Sequence, residues 1–99
     1  MQAHYPFVIE REMGCSVAEL RAWLPGASRD ANLQWREHGV DIAYDSGCIA
    51  IDWHALEPRR IALIVLPRLQ VRFTASAIPE EAWQHFMRYF DLYTQRGGG

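Results

Sequence analysis

Asp52-Trp53-His54 sets a carboxylate and an imidazole two residues apart. On an extended chain that spacing puts both on one side, where the carboxylate could orient the ring for proton transfer or support it as a metal ligand. A surface hydrogen bond needs only the same two residues, and the pair is read as that. Cys15 lies between Gly14 and Ser16, a residue suited to starting a helix. The positive end of a helix favours a thiolate. No basic residue adjoins Cys15, however, and a nucleophile would need His54 or His85 brought to it by the fold. The expectation is a partly buried structural thiol.

A metal site would have to gather His4, His38, His54, His85, Cys15, Cys48 or Asp52. None of these has a short spacing of the C-x-x-C or H-E-x-x-H kind, so neither a metal nor another cofactor is expected. Ser46-Gly47 reads as a turn and lacks the G-x-S-x-G elbow of a serine nucleophile. Arg59 and Arg60, with Arg68 and Arg72 further along, could clamp a small anion, although no glycine-rich phosphate loop accompanies them. All ten basic residues are arginine, which removes Schiff-base, P-loop and lysine-nucleophile chemistry.

These residues need a scaffold, and 99 residues supply one domain that buries roughly 60–65% of its unfolded surface. Nearly half the residues are apolar (49%), enough for a core without staples, and Trp23, Trp35, Trp53 and Trp83 are spread along the chain. A net charge of −2 gives no general pull toward nucleic acid or an anionic membrane. No stretch approaches the roughly 20 apolar residues of a membrane span. The first residues have no charged-then-apolar leader pattern, so a cytoplasmic chain with reduced thiols is expected.

From Tyr5 to Met13 side chains alternate, with Val8, Glu10 and Glu12 on one side, which predicts a strand. Ser16-Val17-Ala18-Glu19 is a capping box, and Val17, Leu20, Trp23 and Leu24 share the face of a helix that Pro25-Gly26 is expected to stop. Three strands follow in Leu33/Trp35/Glu37, Val40/Ile42/Tyr44 and Ile49/Ile51/Trp53, separated by glycine-bearing turns. Residues 60–74 read as one long strand bent at Pro67 or as two strands, and the single strand is preferred because Pro-Arg lacks the chemistry of a two-residue hairpin turn. Pro79 opens a last helix with Glu80 and Glu81 in its first turn and a stripe of Trp83, Phe86, Met87 and Phe90.

The order is β-α-β-β-β-β-α: an α+β chain with a curved antiparallel sheet of about five strands and two helices on one face. It resembles one repeat of the TATA-box binding protein and, more loosely, helix-grip folds, in element order alone. The first resemblance implies nucleic-acid binding through the open face, by Arg36, Arg59, Arg60, Arg68 and Arg72. Glu10, Glu12, Asp41 and Asp52 fall on the same predicted face and argue against it. The ending Arg96-Gly97-Gly98-Gly99 is similar to the di-glycine tails of ubiquitin-like modifiers and sulfur carriers. Those tails leave a strand, whereas this one leaves a helix, so it is read as a helix cap and a flexible end.

If odd positions of the long strand face the helices, Ala62, Ile64 and Leu66 turn outward with Arg68 and Arg72. They join Val8, Ala43 and Ala50 as an apolar band among mixed charges. Such a band calls for a cover. The expected one is a second copy, making the chain a non-catalytic homodimer that acts through protein contacts. The alternative is a binder of a small molecule or anion, perhaps an enzyme, with a pocket between sheet and last helix lined by Trp53, Trp83, Phe86 and Tyr89.

Overall fold

The period-two segments form a five-stranded antiparallel sheet, and the two helical segments lie on one side of it. A computed structural model describes residues 4–29 and 31–96. The strands are β1 (Val8–Met13), β2 (Asn32–Arg36), β3 (Gly39–Tyr44), β4 (Gly47–Ala55) and β7 (Leu69–Ser76), in the spatial order β1-β7-β4-β3-β2. The helices are α1 (Val17–Ala27) and α2 (Glu80–Arg96). A separate two-stranded ribbon, β5 (Arg59–Ile61) and β6 (Ile64–Leu66), lies between β4 and β7 in the chain. The glycine tail lies outside the described residues. Among those residues no helix is long and apolar enough to cross a membrane.

Register follows from which side chains can be buried. Val40 and Ile42 of β3, Ile49, Ile51 and Trp53 of β4, and Leu69, Val71 and Phe73 of β7 all point beneath the helices. There they meet Leu20 and Leu24 of α1 and Trp83, Phe86, Met87 and Phe90 of α2. Each such side chain stabilises the fold by about 1.5–3 kcal/mol relative to exposure. Phe73 meets Phe90 edge-on at 5.1 Å, and the Trp83 indole N–H donates to the Pro6 carbonyl at 2.8 Å, tying the N-terminal segment to α2.

The capping box of α1 is formed as expected: the Glu19 amide donates to Ser16 Oγ at 3.1 Å and the Ser16 amide to Glu19 Oε1 at 2.8 Å. The stop at Pro25-Gly26 is corrected, because α1 continues through both to Ala27. Proline in a last turn forfeits one hydrogen bond, and Ser28 closes the helix by donating its amide to Leu24 O and its hydroxyl to Pro25 O. Arg11, on the helix side of β1, is held there by Asp91 of α2 at 2.7 Å. Asp91 also accepts the Tyr5 hydroxyl at 2.8 Å; desolvation and this bond raise the Tyr5 pKa above its ordinary value.

The single bent strand over 60–74 is also corrected. The β4–β7 ladder runs to Ala55↔Leu69, and the Leu56 amide still donates to the Arg68 carbonyl at 2.9 Å. Pro58 and Pro67 then break it, having no amide to donate. Pairing resumes as Arg59↔Leu66, Arg60↔Val65 and Ile61↔Ile64. Three residues separate Ala55 from Arg59 and two separate Leu66 from Leu69, so the register slips by one as at a bulge. Residues 57–67 are therefore the tip of one long hairpin, and it turns at Ala62-Leu63 with Ala62 at φ 55°.

Candidate functional site

Side chains on the sheet face away from the helices form rows given by the strand register. Val8, Thr74, Ala50, Asp41 and Gln34 make one row, and Glu10, Arg72, Asp52, Gly39 and Arg36 the next. Toward the ribbon lie Glu12, Gln70 and His54; at the opposite end lie Ser76, Cys48, Ala43 and Asn32. The second row alternates in charge and is joined by ion pairs. Arg36 reaches Asp52 at 2.7 Å and Asp41 at 3.0 Å, while Arg72 lies 3.5 Å from Glu10. Asp52 is thus engaged by Arg36 and not by His54, which is exposed and makes no side-chain hydrogen bond among the described residues. The surface hydrogen bond expected between Asp52 and His54 is therefore corrected, and the acid/base reading of the pair has no geometric support either.

Arg68 marks where sheet becomes ribbon. Its guanidinium donates to both carboxylate oxygens of Glu12, at 2.8 and 2.9 Å, and to the Glu57 carbonyl at 2.8 Å. The Arg68 hydrogen bonds hold the Glu12 carboxyl below its ordinary range. Arg68 and Arg72 are therefore structural partners of β1, while Arg59 and Arg60 form no ion pair among the described residues.

Beyond Arg68 the ribbon carries apolar side chains into solvent. Leu63 is 99% exposed, and Ile61, Ile64, Val65 and Leu66 are between 42% and 57% exposed. Partners across a two-stranded ribbon share a face, so Ile61, Ile64, Leu66 and Arg59 lie on one side and Arg60 and Val65 on the other. Leu66 shares a shallow depression with Glu12 and Arg68, so the side bearing three aliphatic residues continues the outer face of the sheet. A three-residue ribbon of this kind is not stable in water on its own.

Of the residues expected to form an apolar band, Val8, Ala43 and Ala50 lie on the outer sheet face. Ile64 and Leu66 stand on the ribbon, and Ala62 forms its turn. The expectation that Ile61, Leu63 and Val65 face the helices is corrected: all three are exposed. Sequence reasoning missed them because Ala62-Leu63 carries none of the residues that favour a two-residue turn. The signal present was the pair Pro58 and Pro67, which brackets an apolar segment with two breaks in pairing.

Three of the proposed pocket residues belong to the core: Trp53, Trp83 and Phe86 are buried, with Trp83 and Phe86 stacked at 6.0 Å, while half-buried Tyr89 lies outside it under the Arg29 guanidinium at 4.0 Å. The cavity bordered by Phe86 and Tyr89 measures about 10 Å³, no more than one water fills. The Trp53 indole N–H is buried without a partner among the described residues. Burial pushes the Cys15 thiol up to about 11, so the helix terminus does not activate it. Among the described residues no three His, Cys, Asp or Glu converge as a metal site. Comparison with protein families, curated proteins and solved structures finds no match for this chain.

Proposed function

We propose that this protein works by binding protein without catalysis, and that its first partner is a second copy of itself. The contact surface is the outer sheet face together with the β5–β6 arm. The observation that carries this reading is the arm, whose five aliphatic side chains are exposed together at one tip, away from the core on which sheet and helices converge. Scaling their fractional exposures by full side-chain areas gives roughly 400 Å² over both sides of the arm, of the order of the largest apolar patch a monomer exposes. Two such arms plus the surfaces they cover reach the roughly 1,200–2,000 Å² of a specific interface. The close packing of Trp83 and Phe86 and the gap of about 10 Å³ beside Phe86 and Tyr89 favour this reading over a ligand pocket lined by those residues.

Sedimentation equilibrium tests it. The wild-type chain of 11.4 kDa should show twice that mass at micromolar concentration, and the double variant Leu63→Ser/Ile64→Ser should sediment as a monomer with unchanged circular dichroism. A wild-type monomer at every concentration would overturn the proposal.

A further inference from the structure

Resting on that reading, we infer that the two copies stack antiparallel, sheet face to sheet face, so that each arm tip lies over the Cys48 end of its partner. Three observations lead there. The aliphatic side of the arm continues the outer face, so a copy laid on that face covers both at once. The molecule is 46 Å long, and the arm tip and the turn before β4 lie at opposite ends of the hairpin that spans it. A twofold axis crossing the strands near mid-length therefore carries the tip of one copy onto the far end of the other.

That far end can receive it. Its outermost side chains include the small Ala43, Cys48 and Ser76, and an open depression of about 180 Å³ lies there, lined by Ala43, Gly47 and Cys48 with Asn32, Gln34 and Asp41, whose carboxylate is held by Arg36. Leu63, almost wholly exposed, is shaped to enter it.

Disulfide trapping with Leu63→Cys tests the arrangement, since Cys48 supplies the second thiol and buried Cys15 stays out of reach. The variant is oxidised gently at a concentration where sedimentation shows a dimer, and the linked peptides are mapped. The arrangement predicts a bond between Cys48 of one copy and the substituted position of the other, and Leu63→Asp should weaken association at least tenfold. A dimer linked tip to tip, or a dimer that does not link, overturns the antiparallel stack and leaves self-association standing. A chain that stays monomeric overturns both. If that monomer co-sediments with vesicles of phosphatidylcholine and phosphatidylserine in equal parts, the arm is assigned to a lipid surface instead.

Discussion

Excising the arm separates its contribution to association from any contribution to the fold. The perturbation replaces the eleven residues Glu57–Pro67 by Asn-Gly, joining Leu56 to Arg68 where one backbone hydrogen bond already closes the ladder. The bond from Arg68 to the Glu57 carbonyl is lost, which costs about 1 kcal/mol. Shortening the connection from eleven residues to two recovers about 1.5 kcal/mol of closure entropy, and Asn-Gly has the chemistry such a turn needs. The Arg68–Glu12 pair and the whole core are untouched. Net stability should therefore stay within about 1 kcal/mol, a change in Tm of at most about 8 °C for a domain of this size. Thermal unfolding followed by circular dichroism across a hundredfold range of concentration reads both effects. The wild-type Tm should climb with concentration, as association with the folded state requires, and the excised variant should show one Tm throughout. A loss above roughly 3 kcal/mol, of the size that follows damage to a core, would refute the reasoning by showing that the arm belongs to the fold.

Gly47→Ala should cost about 2–3 kcal/mol in urea unfolding, because a Cβ there collides with the backbone carbonyls of Ser76 and Ala77; a loss below about 0.5 kcal/mol would contradict this contact. With a thiol reagent at pH 8, Cys48 should react promptly and Cys15 only on unfolding, since burial holds the Cys15 pKa at about 11; its raised value adds stability that is complete below pH 9 and lost as pH climbs through 11. Glu12, lowered by its Arg68 hydrogen bonds, should titrate below 4.5 by carbon NMR and return toward 4.5 in Arg68→Gln. The sign follows: what this pair contributes is present above pH 4.5 and disappears as pH falls through the depressed midpoint, so a Glu12 midpoint at or above 4.5 would deny the pair.

The five sheet strands and both helices were legible because each depends on local periodicity that burial enforces: alternation in Ile49, Ile51 and Trp53, and the helical stripe Trp83, Phe86, Met87 and Phe90 all end in the core. The outer face followed from the same alternation, which is why Val8, Ala43, Ala50 and Arg72 lie where their parity puts them. The arm was not legible, because two prolines break the ladder and its turn at Ala62 adopts a positive φ without glycine. Parity counted through residues 61–66 therefore describes a strand that is not there. The helix end at Pro25 failed for a smaller reason: one missing amide in a last turn is tolerated.

Hydrogen exchange read by mass spectrometry at two concentrations tests most directly whether a second copy covers the arm. At sub-micromolar protein the amides of residues 57–67 should exchange rapidly, and at tens of micromolar they should slow together with those around Ala43 and Cys48, while the core stays equally protected. Rapid exchange of the arm at both concentrations, with no change around Cys48, would contradict the account.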